Sequence, residues 1–217
     1  MPKPASKLRE LLGWASLACL VIGGVLWALS PLGVELSALK FKTPDVFWRL
    51  FPSSPALLLA GLVGLYLWNA REGSRVGRVG VWISILGSVL VVVGNVGLYH
   101  LGVDDAFIMS APAYRAFRLG LLLLAAGALL FGVVGTRSGN LPTWVGLPFA
   151  LSSLAGLLAV VQDLGSFGGA LWAVFGAGWA WLGLAIFADS LQGEGKRAGH
   201  PRPSAKEHRT GEADSAG

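Results

Sequence analysis

The chain's most suggestive polar cluster for chemistry lies between residues 95 and 105, and its members are Asn95, His100, Asp104 and Asp105. His100 and Asp104 are four residues apart, a spacing that places an imidazole and a carboxylate on one face of a helix. Such a pair can bind a divalent metal ion or transfer a proton. The alternative is structural, with the two acids pairing with Arg115 and Arg118, and it is the interpretation that we favour.

The sequence predicts no metal ion and no other cofactor. Metal sites usually need three or more protein ligands, and the other two histidines, His200 and His208, lie in the C-terminal tail. Asn95 is the strongly polar residue deep inside an uncharged run. We expect its amide to join two helices by a hydrogen bond rather than to line a pathway.

A second candidate site is an apolar pocket around Trp179 and Trp181, near the middle of the last uncharged run. Tryptophan in a membrane usually lies at the headgroup layer, where its N–H finds a partner. In the middle of a span, the two indoles could form an aromatic wall for an apolar ligand. Alternatively, they are large side chains that face lipid or fill a gap between helices. The second interpretation is favoured.

The elements that position these residues are six stretches without Asp, Glu, Lys or Arg. Roughly 20 apolar residues cross a bilayer as a helix, and each stretch is about that long or longer. The stretches are residues 11–34, 50–70, 79–103, 119–136, 138–162 and 164–188. The composition agrees, because 54% of the residues are hydrophobic and only 13% are charged. We therefore predict an all-α polytopic membrane protein with six transmembrane helices.

The predicted organisation is a cytoplasmic N-terminus (1–10), a transmembrane domain (11–190) and a disordered cytoplasmic tail (191–217). The predicted spans are 11–30, 55–70, 79–101, 117–136, 143–162 and 168–189. In the first outer loop, Thr43 suits an N-cap and Pro44 the first helical position, so a short interfacial helix is expected there. The first span has the charge pattern of a secretory signal as well. Its apolar region is longer than that of a signal peptide, and the end of the span lacks the two small residues, one position apart, that mark a cleavage site. Both features favour an uncleaved helix.

The distribution of basic residues predicts the orientation. With both termini in the cytoplasm, 12 of the 17 Lys and Arg residues fall inside and 5 outside. The positive-inside rule therefore predicts that both termini lie in the cytoplasm. In composition the chain resembles short multi-span proteins of bacterial inner membranes, so that membrane is the expected location.

Small residues recur every fourth position in nearly every span, which predicts closely packed helices. The sets are Ala15, Cys19 and Gly23; Ala60 and Gly64; Gly80, Ser84 and Ser88; Ala128 and Gly132; and Gly169, Ala173 and Ala177.

The function expected from these patterns is non-catalytic. The basic residues are scattered without interleaved aromatics, which argues against nucleic acid, and no hydrolase or phosphate-loop motif occurs. We expect a structural or accessory subunit that binds membrane lipid and other membrane proteins or a second copy of itself. One alternative is a small transporter or carrier of an apolar or small solute beside Asn95. Another is an enzyme that acts on lipid through His100 and Asp104.

Overall fold

The structure is a computed structural model that describes residues 4–40, 51, 53–69, 75–99, 112–162 and 166–198. These residues form six α-helices and, over the described ranges, no β-strand. The helices are α1 (Pro4–Lys40), α2 (Ser53–Asn69), α3 (Arg75–Tyr99), α4 (Pro112–Arg137), α5 (Thr143–Gln162) and α6 (Ser166–Ala198). The all-α prediction is confirmed.

Five of the six helices are long and apolar enough to cross a membrane. The qualifying segments are Leu11–Gly33, Val76–Leu98, Pro112–Arg137, Thr143–Val161 and Gly168–Asp189. The apolar part of α2, Ser53–Leu67, is shorter. The structure thus shows an all-helical chain whose helices are compatible with a multi-pass membrane protein.

Two helices continue beyond the predicted spans. α1 extends through Pro31 to Lys40, and α6 extends to Ala198, so the first residues of the predicted tail are helical. Proline removes one backbone donor from a helix, and here the hydroxyl of Ser30 adds a bond one position earlier, to the carbonyl oxygen of Leu26 at 2.8 Å. The predicted interfacial helix that begins at Thr43 lies mostly outside the described residues.

The helices form a closed ring in which each one packs against its two neighbours in sequence and α6 packs against α1. Short connections place neighbouring helices antiparallel, as in the turn after α4, where Gly139 has a φ of 74°. The ring closes near the chain ends, where the rings of Trp14 in α1 and Phe187 in α6 lie 4.9 Å apart. The N-terminal end of α1 and the C-terminal end of α6 therefore lie at the same end of the bundle.

The tightest helix contact joins α3 and α4 through small residues spaced seven apart. Gly80, Gly87 and Gly94 on α3 lie opposite Gly127, Gly120 and Ala113 on α4. A Cβ added at Gly94 would lie 2.7 Å from the carbonyl oxygen of Ala113, closer than real Cβ atoms approach. Seven residues are about two helical turns, so these positions form one straight seam that allows backbone contact.

A continuous chain of aromatic side chains crosses the interior of the bundle, and it begins and ends on α4. In order, its members are Phe117, Phe51, Trp27, Phe175, Trp179, Phe149 and Phe131. Successive ring centroids are 4.9 to 6.2 Å apart, the range of favourable tilted and edge-to-face contacts. This aromatic chain links α1, α4, α5 and α6 into one apolar core.

Candidate functional site

Helix α3 buries three polar side chains, whereas α1, α4, α5 and α6 contribute aromatic rings to the interior. Ser84, Ser88 and Asn95 are 1%, 0% and 0% exposed. Their spacing of four and seven residues keeps them on one side of the helix. The hydroxyl of Ser84 donates to the carbonyl oxygen of Gly80 at 3.0 Å, so it is satisfied within its own helix.

Asn95 is buried without a hydrogen-bond partner. In the described part of the structure neither its amide nitrogen nor its amide oxygen finds a donor or acceptor. The hydroxyl of Ser88 is also unpartnered there. The expectation that Asn95 joins helices by a hydrogen bond is therefore not met among the described residues. Its neighbour Gly94 packs against the backbone nitrogen of Phe117, which places Asn95 near the N-terminal end of α4.

Two indoles of the aromatic chain add unpartnered donors to the same interior. The Nε1 atoms of Trp27 and Trp179 are buried and, over the described ranges, bond to nothing. A buried polar group without a partner costs about 1–3 kcal/mol, and such groups are usually satisfied by ordered water or a ligand. The interior thus combines aromatic side chains with several polar atoms that have no partner among the described residues.

The other three members of the predicted polar cluster, His100, Asp104 and Asp105, lie outside the described residues. Among the described residues, no three His, Cys, Asp or Glu side chains come together as a metal site would require.

The structure does not bring Trp179 and Trp181 together. Trp179 is 1% exposed, and its ring centroid lies 4.9 Å from that of Phe149 in the interior. Trp181 is 43% exposed and packs on Trp144, whose carbonyl oxygen accepts its Nε1–H at 3.4 Å. Two residues turn a helix by about 200°, so adjacent indoles at this spacing face opposite ways. The two indoles therefore have different surroundings among the described residues, one in the interior and one at the surface.

A groove that the sequence did not suggest lies on the outside of the bundle between α4 and α5. It has a volume of about 520 Å³ and is lined by the first turns of α4 and by the last turn of α5. Three polar side chains, Tyr114, Arg115 and Arg118, lie at one end. One guanidinium nitrogen of Arg118 donates to the carbonyl oxygen of Val160 at 3.3 Å.

The signal for this groove was present in the sequence but weak. Arg115 and Arg118 stood out only as partners for Asp104 and Asp105, because their apolar companions Leu119 and Val161 look like ordinary span residues. The groove needs two helices to form, and its hydrogen bond joins residues 42 positions apart.

Comparisons of the chain with protein-family models, with curated proteins and with solved structures gave no match.

Proposed function

We propose that this chain is a six-helix integral membrane protein whose role is non-catalytic and is carried out at its lipid-facing surface. The first support is the apolar exterior. Large exposed apolar side chains come from every helix, and examples are Ile22, Val63, Leu86, Leu122, Leu154 and Leu184. In water this surface would far exceed the apolar patches that soluble monomers expose, whereas lipid solvates it.

The short helix α2 belongs to the same membrane-embedded ring in this proposal. Val63 and Leu67 are 39% and 55% exposed, so α2 presents apolar side chains outward like its neighbours. Its inner face is held against α1, where the hydroxyl of Ser54 donates to the carbonyl oxygen of Gly23 at 2.8 Å. A helix of 17 residues rises about 25 Å, slightly less than a hydrocarbon core of about 30 Å.

The proposed orientation rests on two features: the contact between the N-terminal part of α1 and the C-terminal part of α6, and the distribution of Lys and Arg residues. The ring contact between Trp14 and Phe187 joins the N-terminal part of α1 to the C-terminal part of α6, which supports a topology with both termini on one side. On the predicted topology that side carries 12 of the 17 Lys and Arg residues. The positive-inside rule therefore assigns it to the cytoplasm, and the compositional likeness to short multi-span proteins of bacterial inner membranes favours that membrane.

The observation that carries the functional proposal is the aromatic chain across the interior. Trp27, Phe149 and Phe175 are each 0% exposed, so rings occupy the space that a wide substrate path would need. The one groove described above is on the outside instead. The protein therefore acts by binding membrane components at its exterior, as a structural or accessory subunit.

Affinity purification of the tagged full chain from its own membrane in a mild detergent tests this proposal. We expect a complex of fixed stoichiometry with a second membrane protein, with another copy of the chain, or with retained lipid, resolved by native mass spectrometry. As a control, tagged and untagged chains are solubilised separately and then mixed. Co-purification of the untagged chain from that mixture would reveal association that arises only in detergent. A chain that always isolates as a monomer without bound lipid would overturn the proposal.

A second candidate function, a carrier of small neutral solutes, is favoured by the unpartnered polar atoms of Asn95, Ser88 and Trp27. Proteoliposomes test it through their permeability to water and glycerol, measured by stopped-flow light scattering. Asn95→Leu would abolish flux, whereas Ser84→Ala would not, because the Ser84 hydroxyl is already satisfied. Wild-type permeability equal to that of empty liposomes would reject this candidate.

A further inference from the structure

The groove between α4 and α5 changes from polar to apolar along the axis of α4. Tyr114, Arg115 and Arg118 lie in the first two turns, and Leu119 and Leu122 follow at the next positions on the same face. The spacings of three and four residues keep these side chains together on a helix. A phospholipid has the same order of chemistry, with a charged phosphate at the membrane surface and acyl chains below it.

Arg118 is held in place by the end of α5. Its guanidinium group donates to the carbonyl oxygen of Val160, one of the last four carbonyls of α5, which have no partner within their helix. A guanidinium carries five N–H donors, so beside this one bond among the described residues Arg118 has further donors with which to bind an anion, in competition with the expected pairing to Asp104 and Asp105. Arg115 is exposed on the same side of α4. Together the two side chains form a positively charged rim above an apolar floor.

Among the residues whose side-chain surroundings the structure describes, the charge around the groove favours an anion. Asp189 is the one acidic residue whose side-chain environment the structure describes, and it lies near the C-terminal end of α6, at the opposite end of the bundle. Two arginines can each form paired, charge-assisted hydrogen bonds to a phosphate, and the nearby hydroxyl of Tyr114 adds a third donor group. The volume of about 520 Å³ is within the usual range for a small-molecule site.

We propose that this groove is a specific binding site for an anionic phospholipid. The phosphate lies between Arg115 and Arg118, and one acyl chain runs over Leu119 and Leu122, which are 52% and 37% exposed, away from the C-terminal end of α5. The inference rests on the proposed membrane location, and it names the lipid class that the exterior surface recognises.

Native mass spectrometry of the full chain in detergent, titrated with phosphatidylglycerol or phosphatidylcholine of the same acyl length, tests the site. A charge near a membrane surface contributes roughly fivefold in affinity. We therefore expect Arg115→Gln to weaken phosphatidylglycerol binding by about fivefold and Arg115→Gln with Arg118→Gln by about 25-fold. Binding of phosphatidylcholine should change far less, because its headgroup has no net charge.

The matched control is Arg137→Gln, which removes an exposed arginine from the other end of α4. Its phosphatidylglycerol affinity should equal that of the wild type. Circular dichroism and size-exclusion chromatography show whether each variant folds, and the exposed single variant Arg115→Gln keeps the test decisive if loss of the Val160 contact unfolds the double variant. Equal phosphatidylglycerol affinity in Arg115→Gln and wild type would overturn the site, as would an equal loss in Arg137→Gln.

Competition with glycerol 3-phosphate distinguishes a site for a soluble phosphate compound from a site for a phospholipid. Failure of glycerol 3-phosphate to displace phosphatidylglycerol supports a lipid site that uses the apolar floor, whereas displacement at equal concentration overturns it. The two proposals also fail in different ways. If phosphatidylglycerol does not bind at this groove but the chain still purifies in a protein complex, only the lipid site is overturned. If the chain purifies as a monomer with neither lipid nor a partner protein, the proposed function is overturned as well.

Discussion

Gly87 of α3 and Gly120 of α4 pack face to face with no space for a side chain on either residue. A Cβ added to Gly87 would lie 2.8 Å from the carbonyl oxygen of Gly120, and a Cβ added to Gly120 would lie 2.8 Å from that of Gly87. The same reciprocal arrangement joins Gly24 of α1 to Gly176 of α6, at 2.7 Å in both directions. Without a hydrophobic force between helices in lipid, such close backbone contact is a main source of association.

Gly87→Ala should therefore destabilise the bundle. The added methyl group meets the backbone of α4 at Leu124 and Gly120, which cannot move aside as a flexible side chain can. Overpacking of this kind costs about 1–3 kcal/mol. Reversible unfolding in mixed micelles, followed by circular dichroism as the fraction of denaturing detergent rises, measures the free energy of unfolding.

The matched control is Gly168→Ala in the first turn of α6, where a Cβ would have no neighbour within 4 Å. Alanine is the better helix former by about 1 kcal/mol, so this variant should be as stable as the wild type or slightly more stable. Equal effects of the two substitutions would contradict the seam between α3 and α4.

Much of the fold could be predicted because the absence of charge over a whole span is a strong signal. The ends of the helices were harder, since Pro31 costs α1 only one backbone hydrogen bond and does not stop it. The packing faces were predicted at a spacing of four, yet Ala60 and Ala177 are exposed. The seam of α3 instead uses a spacing of seven, because that period keeps a residue on the line between two nearly parallel axes.

The candidate site could be predicted only for properties that depend on a single helix, such as which side of the helix a residue occupies. Asn95 was expected inside a span, and the structure buries it. Whether its amide finds a partner depends on the other helices, which a single run of sequence does not contain. The opposite faces of Trp179 and Trp181 follow from helical periodicity alone, whereas the groove at Arg118 depends on where α5 ends.

Trp179→Ala should cost far more stability than Trp181→Ala. Trp179 is 1% exposed and contacts two rings of the aromatic chain, whereas Trp181 is 43% exposed. Truncating a buried tryptophan costs about 3–5 kcal/mol, and truncating a half-exposed one should cost about 1 kcal/mol. The same detergent unfolding experiment measures both.

Quenching by brominated lipid separates the two indoles independently of stability. Trp181→Phe should remove fluorescence that brominated acyl chains quench, and Trp179→Phe should leave the quenched component unchanged. A loss of quenchable signal in Trp179→Phe would show that this ring faces lipid, contrary to its position in the core.

The proposed orientation predicts where single thiols react. In a Cys19→Ala background, Ser138→Cys sits in the exposed turn after α4, at the end assigned to the cytoplasm. A membrane-impermeant maleimide should label it in inside-out vesicles and not in intact cells. Ser110→Cys, in the loop predicted to be outside, should show the reverse. Labelling of Ser138→Cys in intact cells would invert the assigned orientation.

Asn95→Leu should raise the free energy of unfolding if the interior is dry. The amide is 0% exposed and has no partner in the described part of the chain, so leucine, which has the same number of side-chain heavy atoms and the same branch at Cγ, removes a desolvation cost of about 1–3 kcal/mol. Ser84→Ala is the matched control on the same face, and it should change stability little because its hydroxyl bonds only within its own helix. If Asn95→Leu instead destabilised the bundle, a water or polar ligand would have to be satisfying the amide, and the carrier function would gain over the structural one.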